Sequence, residues 1–246
     1  MKMGHLRNTR IWGLALVAVF AFSALAAANA SATQPVAEGF PATFSGVGGA
    51  GKLETTGPTI RTINCTGNTS SGEINSANTV KGVKVTFTGC TTTGPFGVEL
   101  SCKSSGAAAG VIVTNVLKGK LVYLIAGSSR AGIDLEPESG TTFASITCTK
   151  TIIFEIKENL TVTGSVIGEI TPVNTSATKF TLAFKQKEPG MQEFESYLNP
   201  SGCSPVTDVL TTVGSGAESF TSQSAVEGTE AITTSKTIKI NSSKCS

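Results

Sequence analysis

Between Val80 and Lys103 the chain reads V-K-G-V-K-V-T-F-T-G-C-T-T-T-G-P-F-G-V-E-L-S-C-K, and this stretch limits its folding choices more than any other. Val83, Val85 and Phe87 alternate with Lys84, Thr86 and Thr88, and Val98, Leu100 and Cys102 alternate with Glu99, Ser101 and Lys103. A period of two sets one face in a core and the other in water, which is the pattern of strands. Residues 91–97, with Gly94, Pro95 and Gly97, read as the turn of a hairpin joining the two. Cys90 closes the first strand and Cys102 sits on the second, so a disulfide across the hairpin mouth is expected.

The same texture continues on both sides. Strands are expected over 51–55, 59–66, 72–76, 111–114, 121–126, 143–149, 151–157, 160–170 and 179–187, with a short one around Ile133 and Leu135. The run L-V-Y-L-I-A from Leu121 is apolar on both faces, as in a strand covered on each side. Past the N-terminal leader no window carries a helical stripe, while Thr, Val, Ile and Ser fill the segments between glycines. The expected fold is all-β, a sandwich or barrel of mostly antiparallel strands, reinforced by disulfides. Residues 42–198 form the main β domain and 31–41 a short tether. Residues 199–246 read as a Ser/Thr-rich C-terminal extension, with thinner strands around 206–212, 219–225 and 233–240.

Lys2, Arg7 and Arg10 precede an apolar run from Ile11 to Ala28 that ends in small residues. This is the layout of a secretory signal peptide over residues 1–30, cleaved after Ala30 or Ala32. The apolar run borders on the length of a membrane span, so an uncleaved anchor is the competing reading. No hydrophobic tail follows Asn241, so no stable membrane anchor is expected after cleavage. His5 and Trp12 leave with the leader, as do three of the 19 basic residues, which leaves 16 cations against 17 acids. A near-neutral chain whose arginines are Arg61 and Arg130 lacks the basic footprint of a nucleic-acid binder.

The six cysteines all follow the leader, and an even count in an exported chain favours a disulfide framework. Zinc would need C-x-x-C pairs or histidine, and past the leader neither is present. Six cysteines allow 15 pairings; the expected set is Cys90–Cys102, Cys203–Cys245 tying back the extension, and by elimination Cys65–Cys148.

The order of features resembles a family of exported, β-rich proteins found in numerous copies in some actinobacteria of the Thermoleophilia type. The residues that carry the likeness are Ile63-Asn64-Cys65, Gly72-Glu73-Ile74, Val85 to Cys90, Ser101-Cys102 with the small-residue run 106–110, Phe143 to Cys148, and Gly164 to Gly168. It spans about Phe40 to Gly190 and leaves out the Cys203–Cys245 tail. The resemblance implies secretion and a β fold; that family has no assigned function, so no active site is carried over.

Candidate chemistry is sparse. Gly46-Val47-Gly48-Gly49-Ala50-Gly51 matches G-x-G-x-x-G, but K-L-E-T-T-G-P follows where a dinucleotide site needs a helix, so a Gly-rich loop or bulge is expected. With no histidine past the leader, and with no G-x-S-x-G, nucleophilic hydrolysis lacks its usual base. Asp134, Glu136 and Glu138 alternate on one strand face, as do Glu193 and Glu195 beside Phe194 and Tyr197. Such acids suit either a carboxylate-dependent polysaccharide hydrolase or, for the first trio, a weak calcium site that would stiffen an adhesin domain. A solvated strand edge is the plainer reading of both groups. The expected function is a secreted or cell-surface, non-catalytic binding or structural module, with no cofactor and an extracellular polymer or protein as partner.

Overall fold

Branched and aromatic residues at alternate positions give each strand one apolar face, and the sheet hides that face by closing on itself. The computed structural model describes residues 34–57, 61–216 and 219–245; the expected leader lies outside the described residues. Among the described residues the fold is an antiparallel β-barrel with added strands, which settles the choice between sandwich and barrel.

The chain begins with β1 (Val36–Glu38), β2 (Ala42–Gly48), β3 (Gly51–Thr55), β4 (Thr62–Cys65), β5 (Gly67–Ile74), β6 (Thr79–Thr88) and β7 (Thr91–Thr93). A short 3₁₀ turn at Pro95–Gly97 leads to β8 (Glu99–Lys103), β9 (Ile112–Val113), β10 (Leu117–Tyr123), β11 (Ala131–Pro137), β12 (Thr142–Thr151), β13 (Glu155–Gly164), β14 (Val166–Thr171) and β15 (Ser176–Phe184). The short strands β16 (Gln186–Glu188), β17 (Met191–Gln192), β18 (Ser196–Leu198) and β19 (Pro205–Thr207) precede β20 (Leu210–Gly216) and the long β21 (Phe220–Asn241).

Following the ladders gives two closed rings. The lower runs β21, β2, β5, β6, β10, β11, β14, β15 and back to β21. The upper runs β21, β3, β4, β7, β8, β12, β13, β20 and back to β21. The order around both rings coincides, so the staves continue from one tier to the next through jogs such as Gly49-Ala50, Thr66 and Ser165. One hydrophobic cluster joins the tiers, with Val83, Leu117, Leu135 and Val166 below and Ile63, Leu100, Ile146 and Leu160 above. A second, with Leu121, Ile170, Phe180, Leu182, Ile232 and Ile238, fills the lower tier.

Several expectations are corrected here. Strands β6 and β8 do not form a hairpin with one another. The chain turns at Gly89 (φ +62°) and β6 continues upward as β7, so the hairpin pairs β7 with β8, Thr92 opposite Leu100. Alternation reveals which face of a strand is buried but not which neighbour it takes, and that is the source of the error. The cysteine pairing changes with it. Cys65 is bonded to Cys90 and Cys102 to Cys148, in place of Cys90–Cys102 and Cys65–Cys148; the third bridge joins Cys203 to Cys245. Cys102 and Cys148 face each other in register on β8 and β12, while Cys90 lies beside β4 at the level of Cys65. Residues 36–38, expected as tether, add to the wall through Val36 opposite Asn241. The C-terminal residues are built into both tiers as β20 and β21.

Candidate functional site

In β2 the sequence A-T-F-S-G-V-G turns Phe44, Gly46 and Gly48 toward the interior and Val47 toward solvent. A barrel wall without side chains at two successive inward positions leaves a niche, and three polar side chains from the flanking staves occupy it. Gly46 is opposite Ser70 of β5, Gly48 is opposite Asn68 of β5 and, on its other side, Glu230 of β21. A Cβ at Gly46 would strike Glu230 Oε1 and Ser70 Oγ, and one at Gly48 would strike the Asn68 amide. The G-x-G-x-x-G run is therefore a strand, a jog and a second strand whose first two glycines make room for a polar cluster.

That cluster borders an apolar chamber of about 110 Å³ in the lower tier, walled by Phe44, Val83, Leu121, Phe180, Leu182 and Ile232 among others. Glu230 is only 6% exposed. Glu230 Oε1, Ser70 Oγ and Asn68 Oδ1 are all buried, and apart from the approach of the Ser70 hydroxyl to Glu230 none of them has a hydrogen-bond partner. Burial pushes the Glu230 carboxyl above its ordinary value, and the nearby Ser70 hydroxyl offsets only part of this. Beside the cluster the ladder is broken: β21 pairs with β2 down to Glu230 and with β3 from Glu227, so Gly228 and Thr229 have no partner on that side. Gly46→Val is expected to cost about 1–3 kcal/mol, because the niche has no spare volume. An unchanged urea midpoint would show that these side chains do not occupy it.

The acids singled out in the sequence lie elsewhere, on the outside of the wall. Asp134 and Glu136 face outward from β11 and meet Lys120 and Lys118 across the β10 ladder, at 3.0 and 3.4 Å. Glu138 is exposed past the end of the strand. Asp134 is nevertheless 2% exposed, because β18 and β19 strap over this face. Val122, Leu124 and Ile167 pack there against Phe194 and Tyr197, and Lys120 Nζ sits 4.5 Å from the Tyr197 ring centre. The strap also brings in Asp208, 6% exposed, as a neighbour of Asp134. Burial first, then the hydrogen bond and charge of Asp134, push the Asp208 carboxyl up to about 8. Asp134 Oδ1 and Asp208 Oδ2 lack any other donor, and the proton that Asp208 retains supplies one. Burial works against the Lys120 ammonium, but hydrogen bonds to Tyr197 and Asp134 outweigh it and hold its pKa above the ordinary lysine value.

Glu193 and Glu195 do not face one another across a cleft. Glu193 is 3.7 Å from Arg130 and 4.0 Å from Lys185, whereas Glu195 binds Lys187 and Gln223. Arg130 also grips Glu169 through two hydrogen bonds of 2.6 and 2.8 Å and lies over Phe194. No group of three or more His, Cys, Asp or Glu side chains suited to a metal occurs among the described residues.

Glu230 escaped the sequence reading, although a signal for it exists. It stands in phase with Ile232 and Thr234 on a strand whose inward positions are otherwise uncharged, and an acid in that phase marks either an error of register or a site. Asp208 carries no such signal, since its burial depends on a strap without periodicity. No known protein family, curated protein or solved structure matches the chain, and the reading of its site rests on this geometry alone.

Proposed function

We propose that the chain is a secreted or cell-surface, non-catalytic binding module that holds a small ligand within its barrel. The observation that carries this reading is the set of three buried polar atoms, Asn68 Oδ1, Ser70 Oγ and Glu230 Oε1, with no hydrogen-bond partner outside the cluster, on one side of an apolar chamber. Buried polar atoms in folded proteins are nearly always hydrogen-bonded, and ligand pockets are apolar hollows with a few polar groups aimed into them. Three disulfides suit an oxidising compartment outside the cytosol and the leader expected over residues 1–30. The rival hydrolase reading loses its acids to other work: Glu193 and Glu195 are ion-paired, and the Asp134–Asp208 pair lies beneath the strap.

The test is to purify the secreted chain, look for a co-purifying small molecule by native mass spectrometry, and probe polysaccharide and cell-wall arrays for retention and for cleavage. A bound small molecule without turnover is the expected result. Cleavage of any polysaccharide, or retention on a polymer that Gly46→Val leaves untouched, would overturn the proposal.

A further inference from the structure

We infer that the upper end of the barrel is a lipid-contacting tip, at which two adjacent turns insert Phe96, Ile152, Ile153 and Phe154 into a zwitterionic membrane surface. The tip belongs to the upper tier and the chamber to the lower, so this inference stands or falls separately from the ligand reading.

Strands β7 and β8 end their ladder with Thr93 opposite Glu99, and β12 and β13 end theirs with Thr151 opposite Glu155. β8 is also paired with β12, Ser101 opposite Thr149, so the two turns leave the upper tier side by side. Turns this short ordinarily carry Gly, Asn, Asp or Pro. Residues 152–154 are instead Ile-Ile-Phe, and Pro95-Phe96-Gly97 sets a phenylalanine between two turn formers. Ile153 is 93% exposed and Phe96 92%, the two most exposed large apolar side chains among the described residues, and Ile152 and Phe154 are more than half exposed. Phe96 is moreover held at φ +60°, where a bulky residue is strained, and no burial of its side chain offsets that strain. None of the four fills the core, so folding does not explain their apolar character.

Size argues against a second copy as the partner. At about 200 Å² per large side chain the patch is on the order of 600 Å². Two copies meeting tip to tip would bury at most about 1,200 Å², the lower limit of a specific interface, and two narrow convex tips cannot cover each other completely. A fluid apolar phase needs no matching shape, but it offers no hydrogen bonds to exposed peptide groups. The tips meet that demand in part themselves: the N–H groups of Ile152, Gly94 and Val98 donate to Phe154 O at 3.3 Å, Val98 O at 2.8 Å and Pro95 O at 3.3 Å, and Pro95 has no N–H. The exposed carboxylates of Glu99 and Glu155 on the last rungs limit the depth. With the turns projecting about 5 Å beyond those rungs, the carboxylates come to rest among the headgroups. Lys150, exposed on the next rung of β12, is the cation closest to them along these two hairpins. Two acids against one base disfavour an anionic surface and match a zwitterionic one.

The experiment mixes the whole secreted chain with phosphatidylcholine or phosphatidylglycerol vesicles and follows binding by flotation. Past the leader the chain has no Trp, so Ile153→Trp places a single fluorescent reporter at the tip. Binding to phosphatidylcholine is expected to change less than about two-fold between about 0.05 and 0.5 M salt and to be at least as tight as binding to phosphatidylglycerol. The Trp emission should move to shorter wavelength and be quenched by bromine on the acyl chains. Ile153→Asp is expected to weaken binding at least about ten-fold and leave the urea midpoint unchanged, since the side chain is exposed. Phe96→Gly, which relieves the strained backbone, should weaken binding by about three- to ten-fold with no loss of stability. Absence of binding to phosphatidylcholine, binding confined to phosphatidylglycerol and abolished by salt, or native-like binding by Ile153→Asp would each overturn the inference. A dimer that Ile153→Asp dissociates, without vesicle binding, would overturn it in favour of a second copy.

Discussion

Raising the pH from about 5 to about 9 is expected to lower the stability of the protein by about 2–4 kcal/mol, opposite to the trend that salt-bridged carboxylates produce. The cause is Asp208, held at about 8 in the folded chain by burial and by Asp134 against an ordinary value of 3.8. A carboxyl whose pKa is raised by folding keeps a proton that the unfolded chain releases. Its stabilisation is therefore complete below about pH 4, declines as the pH rises through about 8, and is constant beyond. The charged groups acting on it are Asp134 and Glu136 of β11 and Lys120 of β10. Lys120, whose pKa is raised, stays charged throughout this window and adds no slope. Glu230 adds slope of the same sign, since burial raises its pKa too. Asp208→Asn, which can donate to Asp134 as the protonated acid does, should remove most of the decline, and Glu230→Gln the remainder. Urea unfolding at intervals of one pH unit measures this, and a native stability that is flat or rising across the range would refute the account of the strap.

Replacing Cys102 and Cys148 together by Ala is expected to cost about 4 kcal/mol, from the freedom restored to a 46-residue loop in the unfolded chain. Both cysteines are fully buried in the cluster that joins the two tiers, so the lost sulfur volume adds to the penalty. The same calculation for Cys65–Cys90, which encloses 25 residues, gives about 3.5 kcal/mol. Equilibrium unfolding of the oxidised native chain and the double variant reads the difference directly. A loss under about 1 kcal/mol would mean that the bridge constrains little in the unfolded state.

How far the structure is legible in the sequence depends on the residue. Strand character was visible wherever Val, Ile, Phe or Cys alternated with Lys, Thr or Ser, because burial of one face imposes that period locally. Phe180, Leu182 and Phe184 in β15 show it as clearly as Val83, Val85 and Phe87 in β6. Partnership was not visible: β6 lies between β5 and β10, and nothing in its own residues distinguishes those neighbours from β8. The cysteine pairing is hidden for the same reason, since Cys148 meets Cys102 through a register set by distant strands. The site was hidden more deeply. Its polar side chains come from positions 68, 70 and 230, and the space they fill comes from glycines that, read linearly, look like a loop. The conspicuous acids, Asp134 and Glu136, are opposed by lysines in register, as charges on a strand edge commonly are.

The pairing of β1 and β2 with β21 has a kinetic consequence. Val36 meets Asn241 and Gly48 meets Glu230, so the last seam of the barrel joins residues about 180 to 200 positions apart, whereas meander pairs such as β12–β13 are nearly adjacent. Chain entropy makes such distant contacts form late, which ranks this topology among slow folders. Until the seam closes, the backbone donors and acceptors of β2 and β21 stand open to other chains. Refolding yield should therefore fall as protein concentration rises, and a peptide copying β21 should act as an inhibitor by capping β2 first.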